Sequence, residues 1–186
     1  MTRMLFAVIA ASTLGACSGD DGGGGGSASC VGTGCTCSGF RCECAVGDDC
    51  HTDCGNADCA LACVMDAKCN GETDGALTLT CNDTSECKGN AGDGSAITCI
   101  ETANCDLKAG ADSTAVCRDD ADCKINLGPN ATVSCEDTAR CDIKCDAGCV
   151  VTCEPTADCT VNCGDDDAGV GAMECPDGRL VCGMGC

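Results

Sequence analysis

Four consecutive segments of 18 residues decide the fold: CNDTSECKGNAGDGSAIT (81–98), CIETANCDLKAGADSTAV (99–116), CRDDADCKINLGPNATVS (117–134) and CEDTARCDIKCDAGCVVT (135–152). Each segment begins with Cys and carries a second Cys six residues later. Further units with this spacing begin at Cys63 and Cys153, so six units follow one another without an insertion between their starts. A fixed short period is the mark of a repeat protein, in which each unit packs against its neighbours.

Apolar and polar residues alternate within each unit when its positions are numbered 1 to 18 from the first Cys. Positions 7, 9 and 11 and positions 15, 17 and 1 are mostly small or apolar, with polar residues between them. A period of two predicts strands. Position 12 is always Gly or Asp, which are common turn residues. Each unit therefore predicts two short strands and two turns.

The predicted fold is all-β: a disulfide-stapled β-solenoid of about 18 residues per coil. Eight coils about 4.8 Å apart would reach roughly 40 Å. The period resembles that of the calcium-binding nonapeptide-repeat proteins, which use two nine-residue halves per coil, although their glycine-rich motif does not occur in this chain. The alternative is an array of small disulfide-rich modules, which typically have uneven cysteine spacing.

Cysteine supplies 27 of the 186 residues, and disulfide bonds are the predicted role. A C-x5-C pair leaves one strand and enters the next, which brings its two Cβ atoms toward bonding distance. A reduced metal cluster and zinc or redox chemistry are the alternatives, but no C-x-x-C motif occurs. Connectivity stays open for Cys30, Cys35, Cys37, Cys42, Cys163 and Cys186. The disulfide candidates, paired within their units or across the opposite turn, are Cys44/Cys50, Cys54/Cys59, Cys63/Cys69, Cys81/Cys87, Cys99/Cys105, Cys117/Cys123, Cys135/Cys141, Cys145/Cys149, Cys153/Cys159 and, as a truncated last unit, Cys175/Cys182.

Composition excludes an ordinary core and several classes of partner. The chain has no Trp or Tyr, and Phe40 is the only aromatic residue after the leader. Large apolar side chains supply most of the transfer free energy in a core, so covalent cross-links must substitute for them. The net charge of −20 argues against nucleic acid and against direct adsorption to anionic lipid.

The first sixteen residues predict a secretory leader. Arg3 is followed by an apolar run from Met4 to Leu14, too short to span a bilayer. The sequence Leu14-Gly15-Ala16-Cys17 resembles the lipobox of bacterial lipoproteins. That resemblance implies cleavage before Cys17, acylation of Cys17 and membrane attachment through the lipid, with export to the bacterial cell envelope and the outer membrane as the expected location. An ordinary leader with a chance Cys is the alternative.

Domain boundaries follow from the same composition. Residues 1–16 form the signal peptide, residues 17–29 a lipidated Gly/Ser/Asp tether, and residues 30–186 the Cys-rich solenoid, with regular repeats at 63–170. Without Cys17, 26 cysteines remain, which is enough for thirteen pairs. This body and its anchor resemble uncharacterised Cys-repeat lipoproteins of Gram-negative bacteria, a family that implies no particular activity.

Two surface features are candidate sites. Position 3 of successive units stacks Asp83, Glu101, Asp119 and Asp137, a possible Ca2+ site, although an exposed turn is often acidic merely for solubility. Positions 16 and 18 form a Thr/Ser-rich face that resembles the ice-binding face of Cys-rich insect antifreeze solenoids, but Ala96, Val116 and Val150 interrupt it, and Thr is common on exposed strands. No cofactor other than Ca2+ is expected.

The sequence therefore predicts a non-catalytic surface lipoprotein with a structural or adhesion role. Its expected partners are the membrane, through the lipid, and a protein or glycan that the sequence does not identify. A Ca2+-binding protein is the alternative. A hydrolase is a further alternative, although the lone His51 with the nearby Asp53 is the only arrangement that suggests a base, and no nucleophile, zinc or phosphate motif accompanies it.

Overall fold

The computed structural model describes residues 28–32, 34–45, 49–164, 170–183 and 185–186. The described chain consists of strands and turns. Its nineteen strands are β1 (Ser29–Val31), β2 (Cys35–Ser38), β3 (Arg41–Cys44), β4 (Asp49–Asp53), β5 (Cys59–Cys63), β6 (Lys68–Glu72), β7 (Leu77–Cys81), β8 (Glu86–Asn90), β9 (Ala96–Cys99), β10 (Asn104–Ala109), β11 (Thr114–Cys117), β12 (Asp122–Leu127), β13 (Thr132–Cys135), β14 (Arg140–Cys145), β15 (Val150–Cys153), β16 (Asp158–Cys163), β17 (Val170–Gly171), β18 (Met173–Glu174) and β19 (Arg179–Val181).

The strands form two sheets that face each other across a thin core, as the solenoid prediction requires. Sheet A has the order β1-β4-β6-β8-β10-β12-β14-β16-β17, and sheet B has the order β18-β19-β15-β13-β11-β9-β7-β5-β3-β2. From β4 to β16 and from β3 to β15 the neighbours are parallel. Each residue pairs with its equivalent one unit away, such as Leu107 with Ile125. The β-solenoid is confirmed, with about seven turns.

Antiparallel strands close both ends of the stack. At the N-terminal end β1 pairs with β4 and β2 with β3; at the C-terminal end β17 pairs with β16 and β19 with β15. The truncated last unit therefore does not add an eighth coil. Pro176-Asp177-Gly178 makes a tight turn in which the Gly178 amide donates to the Cys175 carbonyl at 2.9 Å, and this turn reverses the chain. Capping strands cover edges that would otherwise pair with another chain.

The core balances small residues on one sheet against large residues on the other. Gly71 of sheet A faces Leu61 and Leu77 of sheet B, and a Cβ on Gly71 would lie 3.1 Å from Leu61 Cδ2. Two coils later the relation is reversed: position 9 is the buried Leu107 and position 15 is the buried Ser113. A close-packed core conserves volume across facing positions.

The two turns of each coil differ in where they place glycine and left-handed residues. At position 12, Gly92 is needed for space rather than for an unusual backbone angle, because a Cβ there would lie 2.0 Å from the carbonyl oxygen of Asp74, the position-12 residue of the previous coil. The left-handed residues of that turn are at position 14, for example Asp112 with φ 55° and Asn130 with φ 62°. The opposite turn is left-handed at position 3, where the acidic residues stand.

Candidate functional site: the disulfide core, the acidic edge and two sheet faces

Disulfide bonds join the two sheets inside each coil, which confirms disulfide bonding as the basis of the repeat. Positions 1 and 7 are joined in all six units, with Cα–Cα distances of 6.2–6.6 Å. The bond between Cys135 and Cys141 is representative: Cys135 ends β13 of sheet B, Cys141 lies in β14 of sheet A, and both residues are buried. The predicted pairing of Cys141 with Cys135 is therefore confirmed, as are its equivalents in the other five units.

The disulfides outside positions 1 and 7 follow the prediction only in part. Cys54–Cys59 and Cys145–Cys149 close the opposite turn, as predicted. The pairing of Cys175 with Cys182 is wrong: because the chain reverses after Cys175, these residues bond to Cys186 and Cys163 instead. Among the cysteines whose connectivity the sequence left open, Cys37 bonds to Cys42.

The acidic edge is the column of Asp83, Glu101, Asp119 and Asp137. All four residues are exposed and left-handed, with φ between 56° and 63°. Left-handed backbone is unusual for residues other than Gly, although Asp adopts it more readily than most. The structure therefore places the four predicted metal ligands one above another, each at the same point of the same turn.

The carboxylates of the acidic edge accept hydrogen bonds from the backbone of the preceding coil. Asp83 Oδ2 accepts from the Met65 amide at 3.1 Å, Glu101 Oε2 from the Asp83 amide at 3.1 Å, and Asp119 Oδ2 from the Glu101 amide at 3.3 Å. The Asp137 amide likewise donates to a carboxylate of the next coil, but the acceptor is Glu154 Oε2 at 2.9 Å, a residue at position 2. Side-chain carboxylates thus bridge consecutive coils, an inter-coil contact that the sequence pattern did not reveal.

Two carboxyl groups of the acidic edge also interact with each other. The side chain of Asp83 raises the pKa of Glu101, first through a hydrogen bond between the two carboxyl groups and then through charge repulsion. Asp119 adds a smaller repulsion in the same direction. A shared proton or a bound cation would relieve this repulsion.

The outer face of sheet B is uncharged over six coils. Its outward positions, 16 and 18, carry only Thr, Ser, Ala and Val from Ala60 to Thr152, and charged residues occur only at the ends, at Arg41 and Glu43 and at Arg179. We call this surface the neutral face; its residues are Ala60, Ala62, Thr78, Thr80, Ala96, Thr98, Thr114, Val116, Thr132, Ser134, Val150 and Thr152. All are exposed or half-buried.

The outer face of sheet A carries charges of alternating sign. At position 8, Lys88, Asp106, Lys124 and Asp142 lie opposite one another in that order. At position 6, Arg140 Nη1 lies 3.2 Å from Asp122 Oδ2, and Arg140 Nε lies 4.0 Å from Asp158 on the other side. This charged face was missed at the sequence level. Its signal is a change of charge sign at each interval of 18 residues.

His51 lies on the charged face at its N-terminal end, in an open groove of about 330 Å³. The groove is lined by Lys68 and Glu86, whose side chains form an ion pair at 3.9 Å, and by Lys88. Asp53, two residues after His51, uses its carboxylate to accept the Gly55 amide at 2.8 Å. His51 therefore lies in an open polar groove, and the Asp53 carboxylate is used by the backbone of a local turn.

The comparisons with known proteins give no assignment. No protein-family model, no curated protein and no solved structure matches the chain. Among the described residues, no helix has the length and apolar character needed to span a membrane. Cys17 and the signal peptide of residues 1–16 lie outside the described residues. The density of disulfide bonds is that of an exported protein.

Proposed function

We propose that this protein is a non-catalytic interaction protein of the bacterial cell envelope, anchored through a lipid on Cys17. The observation that carries the proposal is the neutral face. Twelve uncharged outward residues lie together on a chain whose net charge is −20. Two anionic bodies approach most easily where neither carries charge, since like charges that face each other cost free energy.

The backbone of sheet B supports the same proposal. Parallel sheets usually have both faces covered by other parts of a protein. On the neutral face the outward residues are small, so a partner can approach closely along the strands. Thr78, Thr114 and Thr132 are exposed and offer hydroxyl groups for hydrogen bonds. A protein or a glycan of the envelope has the chemistry to use both features.

The proposed lipid on Cys17 would determine where the protein is held in the cell envelope. A lipid on Cys17 and a Gly-rich tether would hold the folded body near the membrane while leaving it free to turn. Cys17→Ser would remove the lipid and release the protein from cells, measured by immunoblotting of membrane and medium fractions after a high-salt wash. Retention of this variant in the membrane fraction would contradict the anchor.

The interaction role is tested by adhesion of cells that display the protein. Thr132→Glu puts a charge in the middle of the neutral face, and Asn126→Glu adds the same charge on sheet A, between Lys108 and Lys144. We expect cells with the wild type or Asn126→Glu to be retained on a lawn of the host bacterium. Cells with Thr132→Glu should fall to the level of cells that lack the protein. Equal retention of all four strains would overturn the proposal.

Cation binding at the acidic edge is the second candidate, favoured by the contact between the Asp83 and Glu101 carboxyl groups. A ligand that binds only the native state stabilises it by RT ln(1 + [L]/Kd), about 2.7 kcal/mol at a hundredfold excess over Kd. Millimolar Ca2+ should then raise the melting temperature more than NaCl of equal ionic strength, and Asp119→Asn should reduce the gain. Equal shifts from both salts would leave only charge screening.

A further inference from the structure

The neutral face is bounded by one charged strand on each side, and these two strands lie equally far from its centre. Sheet B has ten strands, in the order β18-β19-β15-β13-β11-β9-β7-β5-β3-β2. The second strand from one end, β3, carries the exposed Arg41 and Glu43, and the second strand from the other end, β19, carries the half-buried Arg179. The centre of the sheet therefore falls between β9 and β11.

Glu43 and Arg179 lie in one column that runs across the sheet. Glu43 pairs with Ala62 of β5, and Arg179 pairs with Thr152 of β15. Ala62 and Thr152 both belong to position 18, so this column has an acid at one end and a base at the other. A half-turn about an axis parallel to the strands, through the centre of the face, reverses the column. It places Glu43 of each molecule opposite Arg179 of a second copy.

We propose that the partner of the neutral face is a second copy of this chain, bound face to face with its stack of coils running in the opposite direction. The inference rests on the proposed function, which makes the neutral face the interaction surface. Such a pair has twofold symmetry, in which the same patch serves both molecules. Two chains with a net charge of −20 repel each other as whole bodies, and the neutral face lets them meet without like charges in contact.

Side-chain size is complementary in the reversed arrangement. The small Ala60 of β5 lies opposite Val150 of β15 in the second copy, because both strands are third from an end of the sheet. Ala96 of β9 lies opposite Thr114 of β11 for the same reason, since these strands flank the centre. Each alanine thus meets a larger residue, which keeps the two faces in contact along their length.

A half-turn about the long axis of the stack is the alternative symmetric pairing. It places Arg41 opposite Glu43 of the second copy, and it places Ala60 opposite Ala62, two small residues that leave a gap between the faces. It also brings both N-termini to the same end of the pair. The reversed pairing puts the N-termini at opposite ends, as a contact between two cells requires.

The size of the neutral face indicates a weak contact between single molecules. One outward residue occupies about 4.8 Å by about 6.8 Å of a sheet, so twelve residues cover about 400 Å². Two such faces bury roughly 800 Å², less than the roughly 1,200 Å² at the lower end of stable interfaces. Many copies on two facing cells add their contacts, so display on a surface converts a weak pair into firm attachment.

Clustering of cells tests the identity of the partner. Two populations of a host strain without the gene display the protein and carry different fluorescent labels, and mixed clusters are counted. We expect cells with the wild type to cluster with each other and not with cells that lack the protein. Thr132→Glu puts one charge from each copy into the contact and should reduce clustering to the level of cells without the protein. Asn126→Glu, on sheet A, is the control and should cluster like the wild type.

Charge reversal tests the orientation. Glu43→Arg and Arg179→Glu each place like charges opposite one another at both ends of the pair. Exposed ion pairs are individually weak, so each variant should form roughly fivefold fewer clusters with itself than the wild type at low salt. Mixing Glu43→Arg cells with Arg179→Glu cells restores opposite charges at both ends and should return clustering to the wild-type number. Equal surface amounts and equal melting temperatures show that the variants are folded.

Three results would overturn the proposal. They are clustering of wild-type cells with cells that lack the protein, clustering that survives Thr132→Glu, and single reversals that the mixture does not rescue. Pairing about the long axis would leave Arg179→Glu without effect, which would contradict the reversed orientation.

Adhesion to a lawn of the host bacterium without the gene separates this proposal from the proposed function. If that lawn retains wild-type cells and not Thr132→Glu cells, the neutral face binds another molecule, and only the second copy as partner is wrong. If Thr132→Glu cells are retained like the wild type on every lawn, the proposed function itself is wrong.

Discussion

The two outer faces of the solenoid are built on the same core and have opposite surface chemistry. On sheet A, Lys124 lies between Asp106 and Asp142, so each coil presents a charge opposite in sign to its neighbours. On sheet B, the corresponding outward residues Thr114, Thr132 and Val150 carry no charge. The inward residues of both sheets are mostly cysteine, alanine and aliphatic residues, with a few small polar residues such as Thr52 among them. Fold and surface are therefore specified by alternate residues of the same strands.

This comparison assigns a different role to each face. Opposite charges stacked in register favour the correct pairing of successive coils, and they penalise a slip by one coil, which would place like charges together. The neutral face contributes no such register information. Its composition is free to serve a partner, which is why the proposed interaction surface lies on sheet B.

The largest effect is expected from reduction of all the disulfide bonds, because both outer faces are lost when the body unfolds. A disulfide that closes a loop of about seven residues restricts the unfolded chain, and this loss of entropy raises the free energy of the unfolded state by roughly 2 kcal/mol at room temperature. Loss of all of them exceeds the usual 5–15 kcal/mol of domain stability. We expect full reduction with a phosphine to unfold the body, measured by far-UV circular dichroism. Native spectra after complete reduction, verified by alkylation and mass, would show that the core alone suffices.

A cavity in the core should lower the stability of the whole solenoid, because both sheets pack against the same core. Ile125 is fully buried between the sheets, and Ile125→Ala should lower the free energy of unfolding by about 2–5 kcal/mol. Asn126→Ala, at the next and outward position, is the control and should change it by less than about 0.5 kcal/mol. Denaturant unfolding of the oxidised protein gives both values. A similar loss for the two variants would mean that position 125 is not part of a close-packed core.

The core was largely predictable from the sequence, whereas the ends of the stack and the left-handed backbone and inter-coil hydrogen bonds of the acidic turn were not. Alternation around positions such as Leu107 and Ile125 predicts inward and outward faces, because strand geometry has a period of two. The residues after Cys163 depart from the 18-residue pattern, so their antiparallel pairing depends on tertiary contacts and on the turn at Gly178. Left-handed backbone at Glu101 has no residue signal comparable to Gly, and its bridge to the Asp119 carboxylate appears only once the coils are stacked.

A charge reversal should affect the charged face alone. Lys124→Asp would stack three aspartates at position 8 and should lower the free energy of unfolding by about 1 kcal/mol at low ionic strength. High salt should recover much of the loss, because exposed charges are screened. Lys124→Thr removes the favourable charge pairs without adding repulsion, so its free energy of unfolding should fall less than that of Lys124→Asp. If the free energy of unfolding of each variant, relative to the wild type, is the same at low and high salt in denaturant titrations, the alternating charges do not stabilise the stack.

The smallest expected effect concerns the acidic edge between the faces, at Glu101. The Asp83 carboxyl group raises the pKa of Glu101 above its ordinary value of 4.5 through a hydrogen bond and repulsion. The folded protein therefore holds this proton more tightly than the unfolded chain does. The associated stability is fully present below pH 4.5 and is lost as the pH rises through the higher pKa of the folded state.

Glu101→Gln keeps a hydrogen-bonding group without the titration, so its melting temperature should fall less than that of the wild type between about pH 4 and about pH 6. Glu43→Gln, at one end of sheet B, is the control and should follow the wild type. Parallel melting curves for all three proteins across this range would mean that the stacked carboxyl groups titrate independently, and the edge would then have no repulsion for a proton or a cation to relieve.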